Sequence, residues 1–197
     1  MRVFSKINRG ILLTVAVIIA VAIYLVVNYF YQQAQIPEIK DICEKYVSAQ
    51  VKYSMLPEKY RDIDSKISQA ELDTYLSQME ADVGAFYPSD FKGSTALLKE
   101  DLINQSKGIK LVHNFSKSIN SYKKFEFIDN SVSVTFVSDT VYDGYSIMTG
   151  KSDKLLNQTE DKISLQKVDG KWKVVYSDIQ RYTNKYTEEP SMRNKYK

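Results

Sequence analysis

Few side chains in this sequence have both the type and the setting for chemistry. The single His113 alternates with Ile109, Leu111 and Phe115, so it is a candidate to face an internal pocket as a general acid or base. No carboxylate partner is set beside it by spacing. Asp139 and Asp143 fall near the end of a strand-like run, where acids cap turns or stay solvated. Asp178 shares parity with Trp172, Val174 and Tyr176, a face on which an unpaired carboxylate would be costly to bury. Cys43 lies in an apolar helical stripe and reads as a small buried hydrophobe, with Lys40 near in sequence to lower its pKa. One Cys and one His exclude an intrachain disulfide, a Cys/His zinc cluster, a CxxC pair and an HExxH helix.

Phosphate chemistry is equally poorly provided for. Seven Gly form neither GxGxxG nor a Walker loop, and Asp62 with Asp64 supplies too few oxygens for an EF-hand. No Ser/His/Asp or Cys/His nucleophile pattern stands out. The expectation is no metal, no cofactor and no catalytic set. Asn104, Asn114 and Asn157 match the glycosylation acceptor pattern, which matters only in a secretory host. The fifteen Tyr suit either strand packing or a protein contact, where each brings large area at low entropic cost.

Charge places these residues relative to a membrane. Arg2, Lys6 and Arg9 precede the first acid, Glu38, and account for the whole formal charge of +3; the remaining 24 basic residues meet 24 acidic ones. A groove that binds nucleic acid gains affinity by displacing counterions from many phosphates, and the body of this chain has no surplus of Lys and Arg to do so. Residues 11–27 carry no charge, and with the segment to Tyr31 they make about 32 Å of helix, enough for a bilayer core of roughly 30 Å. A cleaved signal peptide is the alternative, but its apolar stretch is usually about 7–15 residues, and the Ala20-Val21-Ala22 triplet lies inside the run. The expected layout is a cytoplasmic basic segment at 1–9, a transmembrane helix at 10–31 and a domain outside the cytoplasm, because basic flanks stay inside.

Beyond the span, Pro37 suits the first position of a new helix, with Glu38 and Asp41 in its first turn. Ile39, Ile42, Cys43, Tyr46, Val47 and Val51 follow at helical spacing. Ser68 with Glu71 forms a capping-box pattern opening a helix that carries Leu72, Tyr75, Leu76, Met79 and Val83 to Gly84. A third helix over 95–107 is expected to turn Leu97, Leu98 and Leu102 inward and to stop at Gly108. After Gly108 the period becomes two. Strands are expected at 109–115, around Phe125 and Phe127, from Val132 to Phe136, and in a hairpin of 163–168 and 171–182 about Asp169-Gly170. Residues 142–159 read as a long connection with at most a strand start at 145–148, and 183–197 as a disordered tail.

Helices followed by antiparallel strands predict an α+β domain over 36–182, with about three helices on one face of a curved sheet. That order, ending in the run Lys-Val-Asp-Gly-Lys-Trp-Lys-Val-Val-Tyr from Lys167 to Tyr176, resembles the nuclear-transport-factor-2-like or cystatin-like superfamily. The resemblance implies a cone-shaped domain whose enzymes carry an Asp, His or Tyr in a pocket between sheet and helices. His113, Phe136, Trp172 and Tyr176 are the candidate lining, and Tyr142 a further candidate contact. A short basic start, one membrane helix and one such domain also resembles the bitopic scaffold subunit of conjugative type IV secretion channels, and equally small envelope proteins of unknown role and the membrane-proximal domain of some penicillin-binding proteins without the transpeptidase; no residue separates these versions. Two functions follow as expectations: a membrane-anchored scaffold that contacts envelope proteins or itself, or a domain that takes a small ligand in the cone pocket.

Overall fold

The structure, a computed structural model, describes residues 9–62, 64–91, 95–146 and 150–179. Arg2, Lys6, Tyr182 and the tail 183–197 lie outside them. Helix α1 (Arg9–Lys52), a short 3-10 turn (Glu58–Tyr60), α2 (Gln69–Gly84) and α3 (Ala96–Ser106) precede β1 (Lys110–Ile128), β2 (Ser131–Ser146), β3 (Lys151–Val168) and β4 (Lys171–Asp178). The four strands lie in chain order, each antiparallel to the next, so the class is α+β. Two compact units divide the chain, Met1–Lys40 and Asp41–Lys197.

In the first unit, residues 10–27 are all exposed, and their helix is long and apolar enough to cross a membrane. The expected break before Pro37 does not occur: α1 runs unbroken for 44 residues with Pro37 inside it. Proline lacks an N–H and its ring crowds the carbonyl four residues back, here that of Gln33. Gln32, Gln33, Ala34 and Gln35 are good helix formers, and ending one helix to nucleate another would cost the cooperative gain of the intervening turn.

The second unit is built around a buried stripe of Cys43, Tyr46, Val47 and Gln50 from the end of α1. The Tyr46 and Tyr87 hydroxyls share a hydrogen bond of 2.5 Å between buried rings. Helix α2 opens on the expected capping box: Glu71 N–H donates to Ser68 Oγ, and the Glu71 carboxylate accepts from the Ser68 N–H. Leu72, Leu76, Met79 and Val83 are its buried face. In α3 the buried set is Leu98, Leu102 and Gln105, whereas Leu97, expected inward, is 70% exposed. Gln105 completes the i, i+4, i+7 stripe that Leu97, one position off, cannot join. Its side chain donates to Ser54 O at 2.9 Å and accepts from Leu56 N at 3.2 Å, tying the turn after α1 to α3.

Two expectations for the sheet are corrected. The segments around Leu111 and Phe125 belong to one 19-residue strand, β1, broken in register by bulges rather than by a loop. The segment 142–159 is not a connection: β2 continues to Ser146 and β3 begins at Lys151, with an unbroken ladder from Ser146↔Lys151 to Ser131↔Gln166. Polar side chains hid these strands, because both faces there carry Ser, Thr, Asn, Asp or Lys and no apolar alternation shows. The Asp169-Gly170 turn agrees with expectation, with positive φ at both residues (49° and 77°), the geometry of an Asp-Gly hairpin, and Asp129 in the turn between β1 and β2 also has a positive φ of 51°.

Candidate functional site

A bulge near the start of β1 borders an open surface cleft. Val112 pairs with Gly144 and Asn114 with Asp143, leaving His113 without an opposite residue. The extra residue reverses the parity on which the internal placement of His113 depended. Leu111 and Val112 are both buried, and His113 and Asn114 are both exposed. His113 therefore turns outward, into an open cleft of about 700 Å³ shared with Asp62, Asp64, Ser65, Leu111, Tyr145 and Ser152. Ser65 N–H and Oγ both donate to Asp62 O, shaping the turn that brings the acids to this end of the sheet. Two carboxylates, an imidazole, a phenol and two hydroxyls over Leu111 make a set of hydrogen-bonding groups able to hold a polar ligand. Among the described residues no group of three or more His, Cys, Asp or Glu is placed to hold a metal ion.

Behind the bulge the backbone is crowded. A Cβ at Gly144 would lie 2.1 Å from Tyr142 Oη and 2.8 Å from Leu111 O, so the Tyr142 ring occupies space that only glycine leaves open. Tyr142 packs with Met55, Val112 and Phe115, and Val51 and Leu155 close the cluster. A second, smaller groove of about 360 Å³ runs between the 3-10 turn and α2, lined by Pro57, Tyr60, Ile67 and Tyr75 among others. Its charged edge is ordered by Glu71, which accepts from Tyr60 Oη at 2.5 Å and Lys59 Nζ at 3.0 Å. Those donors hold the Glu71 carboxyl well down, to about 2.

The inward face of the sheet carries a strip that sequence periodicity did not indicate. Lys117 Nζ lies 2.7 Å from Asp161 Oδ2, with side-chain exposures of 1% and 0%. Lys117 also donates to Thr159 Oγ1 at 2.9 Å, and Ser138 Oγ donates to Asp161 Oδ2 at 2.5 Å. Burial pulls the Lys117 pKa below its ordinary value, opposed by the Asp161 carboxylate. Thr140 and Asn157 extend the strip, both buried. The signal was present in the sequence, since Asn157, Thr159 and Asp161 share parity with Ile163 and Leu165.

The structure disperses the five sequence-predicted contacts. Phe136 is fully buried on the inner face, and Tyr142 and Trp172 are buried at 7% and 5% exposure. Lys167 Nζ sits 5.4 Å from the centre of the Trp172 ring. Tyr176 is 53% exposed on the other face, and His113 lines the cleft. Cys43 is buried, its thiol pushed up to about 12 by desolvation and by the charge of Glu44. Asp178 is exposed at the end of β4.

No family model matches the chain, and no curated protein matches it. Among solved structures it is similar to a nuclear-transport-factor-2-like protein of unknown function from Prochlorococcus sp. NATL2A. The two are 17% identical with a TM-score of 0.30, over 55% of this chain and 88% of that one.

Proposed function

We propose that this chain is a single-pass membrane protein whose second unit stands outside the cytoplasm as a docking module for other envelope proteins, without catalysis of its own. The membrane part is supported by the exposed apolar surface of residues 10–27 and by the basic residues on its N-terminal flank. The observation that carries the docking reading is the filling of the inner sheet face: Phe136, Tyr142, Trp172 and the Lys117–Asp161 pair occupy it. What a partner meets is then the exterior, including Tyr176, Val141 and Leu156. A subunit of a conjugative secretion channel is the finer form of this reading.

Its test is photocrosslinking in living cells from a benzophenone residue placed at Tyr176 or Leu156, together with a compartment-sensitive reporter after Lys197. The reporter is expected to be active outside the cytoplasm, and crosslinks to envelope proteins or to a second copy are expected from both positions. Crosslinks to channel subunits would select the secretion form. Reporter activity in the cytoplasm would overturn the topology, and no adduct from either position would overturn the docking role.

A second reading, recognition of a small polar ligand, is favoured by the outward turn of His113 into a cleft beside Asp62 and Asp64. Screening a library of polyols, amines and amino acids while observing the His113 ring resonances tests it. A saturable shift lost in Asp62→Asn/Asp64→Asn would support this reading; no shift across the library would reject it.

A further inference from the structure

Burying a lysine with an aspartate does little for stability by itself, because stripping both ions of water offsets their attraction. The setting of Lys117 and Asp161 is more specific than an ion pair requires. Nζ lies 2.7 Å from Oδ2 with both side chains closed to solvent, which puts the amine beside the carboxyl carbon, one bond further on. Two hydroxyls complete the contact. Thr159 Oγ1 accepts from Lys117 Nζ at 2.9 Å and donates towards both carboxylate oxygens, Oδ1 at 3.3 Å and Oδ2 at 3.2 Å. Ser138 Oγ donates to Oδ2 at 2.5 Å.

The surroundings are dry. Phe136, fully buried, pairs with Asp161 in the β2–β3 ladder, and the Tyr122 ring lies 6.0 Å from that of Phe136. Burial favours the neutral form of the Lys117 amine, the form that can act as a nucleophile. Lys117 comes from β1 and Asp161 from β3, with β2 between them, so a bond joining their side chains would tie two strands that are not neighbours in the sheet. A chain with a single cysteine has no intrachain disulfide to do this.

We infer that Lys117 and Asp161 condense to an amide, a covalent cross-link that the folded domain forms once from its own ion pair. The step balances without an outside reagent. Thr159 relays one proton from the ammonium to the carboxylate, leaving a neutral amine and an acid protonated on Oδ1. The Nζ lone pair attacks Cγ and forms the C–N bond, while Ser138 stabilises the negative charge that gathers on Oδ2. A second Nζ proton passes through Thr159 to the Oδ1 hydroxyl, the Cγ–Oδ1 bond breaks, and water leaves. Ammonium and carboxylate become one amide and one water, with nothing oxidised or reduced. Two buried charges disappear, which favours the product in a dry interior, and the fold has already brought the reacting groups together. The loop so closed contains all of β2, and closing it restricts the unfolded chain.

The test is denaturing mass spectrometry of the full chain purified in detergent micelles, followed by digestion with trypsin. The chain is expected to weigh one water less than its sequence. The tryptic segments 111–123 and 155–162 are expected to emerge joined through Lys117 and Asp161, with no cleavage after Lys117. The Lys117→Met/Asp161→Leu variant, which lacks both groups, is expected to show its full sequence mass. Asp169-Gly170 can also lose water, by cyclising on its own backbone. The deficit is therefore located by the joined segments and by its survival in hydroxylamine, which opens a cyclic imide and leaves an amide intact. An unsubstituted chain at its full sequence mass would overturn the inference. So would a deficit that disappears in hydroxylamine or that leaves the two segments separate.

Discussion

Gly144 and Gly84 have opposite demands placed on them by their surroundings. Around Gly144, Tyr142 and the Leu111 carbonyl leave no room for a methyl group, whereas a Cβ at Gly84 meets nothing within 4 Å. Gly144→Ala is expected to destabilise the domain by about 1–3 kcal/mol, the usual cost of forced repacking. Gly84→Ala, at the end of α2, is expected to be neutral or to stabilise by up to roughly 1 kcal/mol. Denaturant unfolding of the two variants in micelles measures the contrast, and equal midpoints would show that the Tyr142 ring moves aside freely. Glu71 carries a pH dependence of definite sign. Its carboxyl titrates at an ordinary 4.5 when unfolded and near 2 when folded, held down by Tyr60, Ser68 and Lys59. Its contribution to the start of α2 is therefore complete above about pH 4.5 and is lost as pH falls towards 2. A carbon-detected NMR titration of the Glu71 side chain is expected to show a midpoint well below that of other glutamates, and Tyr60→Phe is expected to raise it. The pairing of Ser68 with Glu71 was legible in the sequence because a capping box is local; Tyr60 and Lys59 joined it only through the fold.

Among the elements, those with a local apolar period or a local turn signal were readable in advance. Helix α2 and the Asp169-Gly170 hairpin follow from four or five neighbouring residues each. The misread elements depended on distant partners. His113 left the inner face because one extra residue in β1 reversed the parity, and bulges are set by pairing with β2. Residues 142–159 form strands through the pairing of β2 with β3, a ladder that runs from Ser131↔Gln166 to Ser146↔Lys151 and that no local apolar period announces. The continuity of α1 through Pro37 is likewise a property of the helix as a unit. Pro37→Ala restores the missing N–H, and it is expected to slow hydrogen exchange in the turns around residue 37, with the helix gaining up to about 3 kcal/mol locally. Exchange rates unchanged by the substitution would mean that the helix already accommodates the proline without loss.

At the scale of the whole molecule, the division near Lys40 and Asp41 separates an apolar helical surface from a domain with its own core. A chain beginning at Ile36 is expected to remain soluble without detergent and to keep the helix and strand content of the domain by circular dichroism. Precipitation or loss of the near-ultraviolet signal of Trp172 would show that the domain needs the preceding helix to fold. The sequence by itself determined that residues 11–31 are long and apolar enough to cross a membrane and that helices precede strands. Each rests on composition or on spacing along the chain, which requires no folded partner. Tertiary structure alone decided that His113 faces out, that Phe136, Tyr142 and Trp172 are core, and that a lysine and an aspartate lie inside the sheet. The physical reason is that the face a strand residue presents depends on pairing register, and register is settled by the contacts of the neighbouring strands.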